Sequence, residues 1–497
     1  MRASGCSPVA RLLRAAIFPV ALFAVAGLLA PERCDASAFS IAELGTRAAS
    51  VGTAFTAVAD DSSALFYNPA GIAFQPGIHM EMDSLVVVGL FRFTPSDPPP
   101  GTNVPSNGYP GSVKPHFIPV ASMFMTHQFN PKWTVGFGAF TPFGLASNFI
   151  NFHDSDPSNT KFPGRWAGTR AQLQEFWFQP TVAYRLNENS AIAVGPAFVH
   201  THLYIDRSFL NPADDALTFG RQAASTIFPG VPVNQAAAVI ARLLPEGRSR
   251  IAGTANSPAF ALGYLYKNPR LKTNFGFSFR SSVTNHLSGA AGFGFTSNSA
   301  LIPYIGSSFL PSAFPNQKIT GSFTTPATYA VGVANSSLRN TTISMDFRLQ
   351  DYRRFQSVPL NFSVNTANST TSALPAEDRL VFNFRNSYVF GLGVARDIRP
   401  DTQLRIGYIY DRSPVVDESV GPLFPDANRN SFTVGGTRKR GEKTYSFFYE
   451  AMFMQNRVTN VAANAAQGTN GDYHSFVHLA GLSMQFDATN WIGKKKH

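Results

Sequence analysis

Apolar and polar residues alternate with a period of two over much of the chain between residues 79 and 486. This is the spacing of strands that present one face to an apolar medium and the other to a polar one. In residues 273 to 283, Phe275, Phe277, Phe279, Ser281 and Val283 share one face, and Asn274, Gly276, Ser278, Arg280 and Ser282 share the other. Phe260, Leu262, Tyr264 and Tyr266 repeat the pattern just before it. Farther upstream, Trp133, Val135, Phe137 and Ala139 oppose Thr134, Gly136, Gly138 and Phe140. The glycine-rich second faces suit a lumen that stays roomy or accepts a filler, where a sandwich would place bulky side chains.

Strands are expected near 79–93, 115–129, 133–143, 172–187, 190–206, 257–268, 271–287, 318–336, 338–354, 380–398, 402–412, 430–440, 442–457 and 473–486. That makes about fourteen, an even number as in closed bacterial barrels. The connections alternate in length. Asn130-Pro131-Lys132, Asn187-Glu188-Asn189 and Asn268-Pro269-Arg270 are short turns built of turn-forming residues. Between them fall long loops near 94–114, 145–171, 207–256, 288–317, 355–379, 413–429 and 458–472. Short turns at one rim and long loops at the other mark an outer-membrane β-barrel, so the expected class is an all-β, antiparallel transmembrane barrel. Within the longest loop, residues 233 to 244 carry helical spacing ending in Ile240, Leu243 and Leu244. Such a helix could offer an apolar landing surface or simply pack the loop onto the rim.

Both ends depart from the alternation. Arg2, Arg11 and Arg14 precede an apolar run from residue 15 to 30, and Ala36-Ser37-Ala38 offers small residues for cleavage, so residues 1–38 read as an export signal. Residues 39–78 are rich in Ala, Gly and Ser and break at Asn68-Pro69-Ala70-Gly71. Residues 42 to 49 suit a short helix, and Asp60 to Ser63 could cap another that runs through Leu65 and Phe66 until Pro69 interrupts it. Forty such residues ahead of a barrel (79–486) read as a mainly helical plug folded into the lumen, because Phe39, Leu44, Phe55, Leu65, Phe66 and Phe74 would be wasted on disorder. Residues 487–497, with Trp491 and three lysines, continue past the last strand as an extension.

Charged residues make up 14% of the chain, against about 25% in typical soluble proteins. Phenylalanine alone numbers 45, yet mean hydropathy is −0.04. Alternation reconciles these figures, since a lipid-facing barrel hides its apolar residues among lumenal polar ones. The formal charge of +11 is scattered, with no basic run to track a nucleic-acid backbone, so nucleic acid is excluded as a partner. Cys6 and Cys34 both lie in the expected leader, which removes a cysteine nucleophile or ligand from the mature chain.

The run FSIAELGTRAASVGTAFTAVADDSSALFYNPAG, from Phe39, resembles the mature N-terminus of the FadL/TodX (OmpP1) outer-membrane transporters. The matching positions are Phe39, Glu43, Ala59-Asp60-Asp61 and Asn68-Pro69-Ala70. Further similar blocks span residues 140 to 145, 180 to 185 and 279 to 281. The stretch from 404 to 436, with Asp411, Ser413-Pro414, Pro425-Asp426 and Arg429 in order, is similar to the family's late strand–loop–strand block. The resemblance implies passive uptake of a hydrophobic molecule, a long-chain fatty acid or an aromatic hydrocarbon, into the outer membrane. Extracellular loops would capture the ligand and pass it to a pocket beside the plug. Movement of the plug start and an inward kink of the third strand would then release it sideways into lipid. An adhesin or structural barrel is the reading from another class.

On that reading Phe39, Glu43, Asp60, Asp61, Asn68, Pro69 and Ala70 belong to the ligand-touching, rearranging plug, with a plain structural turn the alternative for Asn68 and Pro69. Phe140, Pro142 and Phe143 form the kinked strand end. Lys161, Phe162, Arg165, Trp166 and Arg170 mix basic and aromatic groups at the loop entrance, suited to an amphipathic acid or to lipopolysaccharide phosphate. Arg280 faces the lumen by alternation, either as counter-ion to a ligand carboxylate or in an ion pair with Asp60 or Asp61. His200, His202, His474 and His478 sit on expected strands, but no Gly-x-Ser-x-Gly elbow, triad or third metal ligand accompanies them. The expectation is therefore no enzyme, no metal and no cofactor, with a monomeric barrel whose partners are its ligand and outer-membrane lipid.

Overall fold

The computed structural model describes residues 39–96, 111–112, 118–148, 162–295 and 307–489. The expected leader and most of the C-terminal extension lie outside the described residues, as does Lys161. Fourteen antiparallel strands close on themselves, several of them interrupted. In order they are β1 (Ile78–Pro95), β2 (Ile118–Gln128), β3 (Trp133–Asn148), β4 (Arg170–Arg185), β5 (Ser190–Phe209) and β6 (Gly247–Asn268). The next four run in two pieces each: β7 (Thr273–Arg280, Val283–Phe295), β8 (Gln317–Thr325, Ala327–Asn335), β9 (Thr341–Asp351, Ser357–Phe362) and β10 (Glu377–Val381, Ser387–Arg399). The last are β11 (Thr402–Asp411), β12 (Arg429–Arg440), β13 (Lys443–Met454) and β14 (Gly471–Asp487). β14 returns to β1 over an unbroken register from His79 opposite Asp487 to Pro95 opposite Gly471. Closure leaves no edge in lipid, where an unpaired backbone group costs several kcal/mol.

All fourteen strands fall where the alternation places them, though their ends differ. β6 starts at Gly247, well before residue 257, and β3 runs on to Asn148. The expected outer face is exposed at Phe260, Leu262, Tyr264, Phe275 and Phe277. Val283, however, does not share that face, for it is fully buried. β7 leaves the ladder at Ser281 and Ser282 and resumes one step out of phase, so odd positions turn inward from there. In the three short turns, Asn130, Asn187 and Asn268 accept main-chain N–H bonds at 2.8–3.1 Å from residues two or three farther on. The Asn side chains thus substitute for the missing ladder.

The longest loop holds two helices, α3 (Asp215–Ile227) and α4 (Val233–Leu243), of which only the second shows in the sequence pattern. They pack closely enough that a Cβ on Gly220 would sit 2.6 Å from the Ala237 carbonyl oxygen. Phe219 and Ile240 point into the upper hydrophobic cluster, so the pair roofs the barrel mouth.

Residues 39–77 lie against the inward faces of the strands. The expected helix over 42–49 shrinks to a single turn, α1 (Thr46–Ala49), because Gly45 takes φ +84° and residues 40–42 stay non-helical. A second turn, α2 (Ala64–Tyr67), is entered through Asp61, whose Oδ1 accepts from the Ser63 N–H (3.0 Å) and hydroxyl (2.6 Å). Pro69 does more than end α2. Asn68 accepts from the Ala70 N–H at 3.2 Å and starts a 3-10 turn, Pro69–Phe74, with Pro at its first position. The Asn68 amide also donates to the Thr56 and Tyr264 carbonyls, at 2.8 and 2.9 Å, tying the segment to β6. Asp346 of β9 accepts from the Phe55 and Thr56 N–H groups at 2.9 and 2.8 Å, and Asp83 of β1 from Thr46 at 2.8 Å. Lumenal glycines make room for this. A Cβ on Gly393 would lie 2.3 Å from the Val51 carbonyl oxygen, and one on Gly276 2.1 Å from that of Thr56.

Replacing Asn68 with Ala strands two buried backbone groups, the Thr56 carbonyl and the Ala70 N–H, at about 1–3 kcal/mol each, and releases the tie to β6. Amide hydrogen exchange in residues 54–74 should quicken while the strands keep their protection; equal rates in both proteins would contradict this role. Gly393→Leu should likewise loosen residues 46–56 by expelling Val51, with the barrel still resisting detergent at room temperature.

Candidate functional site

The site begins where β3 cannot hold its register. Pro142 lacks an N–H to give to a ladder. The pairing with β4 accordingly jumps from Phe140 to Phe143, bulging over Thr141 and Pro142. The start of the N-terminal segment fills the gap. Gly144 donates its N–H to the Phe39 carbonyl and Ile41 donates to the Pro142 carbonyl, both at 2.8 Å, with Ser40 bridged to Phe143. Gln350 of β9 donates to the Ser40 hydroxyl at 2.7 Å from the opposite wall. The segment's first three residues therefore act as a short stretch of strand laid on the bulge.

This placement drives the Phe39 ring into a cage of aromatics. Its centroid lies 5.1 Å from Phe355, 5.4 Å from Tyr352 and 5.9 Å from both Phe143 and Phe424. Above Phe39 the strands and loops close round a small cavity of about 30 Å³. Leu173, Ile205, Phe323, Phe355 and Phe424 are among its walls, and among the described residues Gln172 is the one polar side chain lining it. These walls favour an apolar body and offer almost nothing to a polar one.

Below this short stretch lies a second cavity, also of about 30 Å³, with a different character. Phe66, Tyr67 and Phe143 line it beside Arg280 and Arg348. Arg280 does not pair with Asp60 or Asp61, because Arg47 holds both, at 3.0 and 2.9 Å. Instead Arg280 donates to the Phe66 carbonyl at 2.7 Å, and its guanidinium lies 4.3 Å from the Phe66 ring centroid and 5.3 Å from that of Trp177. Arg348 donates to the Thr53 hydroxyl. The Nε–H groups of both arginines are buried and meet no hydrogen-bond acceptor among the described residues. Two buried guanidiniums with donors to spare, one of them on aromatic faces, suit an acidic headgroup.

Glu43 sits beside this cavity, its carboxylate accepting from the Ala42 N–H at 3.0 Å. Burial pushes its carboxyl above the ordinary range, against the pull of Arg429 and Arg348. The Tyr67 hydroxyl donates to the Ala42 carbonyl at 2.6 Å and holds residues 42 and 67 together. Phe140 closes the rear of the site, 5.4 Å from Phe66 and 6.3 Å from Trp177. Asp60, Asp61, Asn68, Pro69 and Ala70 lie farther along the segment in the contacts described above, and they line neither cavity.

The expected loop entrance is only partly brought together. Phe162 is fully buried, 5.8 Å from Phe93. Arg165 is committed to Glu246 at 2.9 Å and lies over Trp166 at 4.4 Å, while Arg170 lies over Tyr204 at 5.0 Å. These are contacts that build the rim. His200 pairs with Asn256 at 2.7 Å, His474 with Asp472 at 2.8 Å and His478 with the Tyr449 hydroxyl at 2.8 Å. Among the described residues no three His, Cys, Asp or Glu side chains converge as a metal site would require. Tyr352, Phe355, Phe384, Phe424 and Arg348 were not singled out in the sequence. A dense run of aromatics around the expected loop 355–379, at Tyr352, Phe355, Phe362, Phe382 and Phe384, was the available signal.

A family model described as outer membrane protein transport protein (OMPP1/FadL/TodX) matches residues 27–487. A Neisseria meningitidis serogroup B protein named as an outer membrane protein is 22% identical over 447 residues, covering 88% of this chain and 90% of that one. Among solved structures, a Pseudomonas aeruginosa FadL homologue superposes with a TM-score of 0.71 at 17% identity, over 91% of this chain and all of that one. The Ralstonia pickettii toluene transporter TbuX gives 0.60 at 16% identity, over 89% and 98%. These two likenesses establish the fold. With a family model spanning nearly the whole length of a closed, edge-free barrel, the chain belongs to the OMPP1/FadL/TodX family of outer-membrane transport proteins.

Proposed function

We propose that this barrel takes up hydrophobic compounds passively, and that long-chain fatty acids are its substrate class. The observation that carries the reading is the clasp of Phe39 and Ile41 on the β3 bulge, set between an apolar chamber and a cavity that holds two buried arginines. A ligand enters the chamber, whose burial is worth roughly 0.8 kcal/mol per CH₂. Residues 39–77 act as the plug, and the clasp is its movable part. Two main-chain hydrogen bonds, the Gln350–Ser40 bond and the contacts of one ring hold it, a modest load for an incoming chain to replace. Once Phe39 swings out, a carboxylate can reach Arg280 and Arg348. The bulge then offers a route between β3 and its neighbour into the bilayer, where the alkyl chain keeps its burial. Uptake of an aromatic hydrocarbon is the second reading, supported by the ring cage around Phe39 and by the likeness to a protein titled a toluene transporter.

Cells lacking their own transporters and expressing this chain should accumulate labelled oleate faster than toluene. No gain with either compound would falsify transport, and a larger gain with toluene would favour the aromatic reading. Deleting residues 39–43 should alter oleate uptake at least several-fold, in either direction, with surface expression unchanged; unaltered uptake would remove the clasp from the mechanism. Arg280→Gln should reduce oleate uptake several-fold and spare toluene, whereas Arg280→Lys should retain most of it. Equal losses for both compounds would assign Arg280 a structural part only.

A further inference from the structure

Short turns lie on the periplasmic side of an outer-membrane barrel. With their flanking positions (129–132, 185–189, 267–272, 336–340, 396–402 and 438–443), the six short turns hold twelve Lys and Arg against four Asp and Glu. That rim is basic, and on the β12–β13 hairpin the basic side chains gather on the lipid-facing side.

The pleat fixes which side chains point outward there. Thr433 donates to the Ser50 carbonyl, and a Cβ on Gly435 would sit 2.5 Å from the Ser50 side chain, so both face the N-terminal segment. Phe432, Val434, Arg438 and Arg440 therefore face out from β12, and Lys443, Tyr445 and Phe447 from β13. The register sets Arg438 opposite Tyr445 and Arg440 opposite Lys443. A two-residue turn, Gly441-Glu442, joins the strands, with Gly441 at φ +61°. So tight a turn keeps Arg440 and Lys443 side by side, although like charges directly opposite on one face repel. Arg438 adds a third cation two residues along. Asp401 approaches Arg438 at 3.7 Å, with both side chains about half exposed. Arg440 and Lys443 meet no carboxylate within ion-pair distance among the described residues. The hairpin thus holds positive charge together at a cost that an outside anion would relieve.

The wall just above is apolar. One step up from Arg438, Gly436 lies between Leu404 of β11 and Phe447 of β13. A Cβ there would stand 2.8 Å from the Phe447 ring, so that ring lies across the main chain and forms a shelf. Leu404, Ile406, Val434 and Phe447 are all exposed along it. The shelf ends downward at Tyr445 and the three cations, residue types that settle at headgroup depth with their apolar parts toward the acyl chains. A dissolved anion would use the cations alone, whereas a membrane lipid uses both parts.

We propose that this face of β11 to β13 binds an anionic glycerophospholipid of the periplasmic leaflet. Its phosphate lies among Arg438, Arg440 and Lys443, and an acyl chain runs up the shelf of Leu404 and Phe447. The site is on the outer wall and does not rest on what the barrel transports. Purified barrel in a neutral detergent can be titrated with phosphatidylglycerol, with phosphatidylethanolamine of the same chains, and with inorganic phosphate, using native mass spectrometry to count what is bound. The protein should hold one phosphatidylglycerol at least tenfold more tightly than phosphatidylethanolamine. The triple variant Arg438→Gln, Arg440→Gln, Lys443→Gln should lose that preference. A matched variant, Lys132→Gln, Arg270→Gln, Lys272→Gln, removes three charges from other short turns and should keep it. Retention of heat-modifiable migration shows that each variant is folded. Undiminished preference in the first variant overturns the site, and so does equal binding of the two lipids. An equal loss in the matched variant replaces the site with diffuse attraction to the rim and overturns it too. Inorganic phosphate bound as tightly as phosphatidylglycerol overturns the assignment to a lipid.

Discussion

Every main-chain N–H and C=O at membrane depth has to find a partner within the protein, and this requirement organises the molecule. Closure of β14 on β1 meets it around the circumference. The informative places are those where the ladder fails. At Thr141 and Pro142 the failure faces inward, and residues 39–41 supply the missing main chain. Between β9 and β10 it lies in the wall, and Gln356 spans it: its carbonyl accepts from the Phe382 and Asn383 N–H groups and its side chain donates to the Phe384 carbonyl. Each repair recruits something with a consequence. One fixes Phe39 between two cavities, and the other sets Phe384 beside the Phe39 ring.

The same rule explains why the lumen is built from two kinds of residue. Glycines such as Gly276 and Gly393 admit the backbone of the N-terminal segment to van der Waals range. Buried polar groups such as Asp346, Asp83 and Asn68 then accept or donate the hydrogen bonds that this short-turned, irregular segment cannot satisfy internally. Neither kind would suffice alone, since close approach without partners would strand buried amides, and partners without room could not be reached. Around Phe39 the chemistry shifts to aromatic rings, whose contacts are individually weak.

The strands were legible because alternation has only one physical meaning over so many repeats, and asparagine turns fixed their short connections. Phase was less secure. Nothing in Ser281-Ser282 announces that β7 will skip a step, so Val283 was placed on the wrong face. Helix α3 was missed because its apolar positions, Ala216, Phe219 and Ala224, are sparse and bury against a roof visible only in three dimensions. For the site, Pro142 and Phe143 could be named because a proline in a strand is a local signal, and Phe39 because it opens the block that resembles the family's N-terminus. Their partners Tyr352, Phe355 and Phe424 come from strands and loops hundreds of residues away, and Arg280 and Arg348 meet only through the curvature of the wall. The pairing of Arg47 with Asp60 and Asp61 was hidden for the opposite reason: it is so local that a lumenal arginine seemed the better candidate.

The glycine contacts have one more consequence, which concerns the order of assembly. Val51 and Gly52 touch β10 and β11, and Thr56 touches β7 and β8, all of them far from β1 in sequence. Yet the segment is joined directly to β1, the strand that forms the closing seam with β14. The clearances between this segment and the wall are less than a methyl group. The segment and the wall therefore reach their final packing together, and neither has its hydrogen bonds complete until the other is in place.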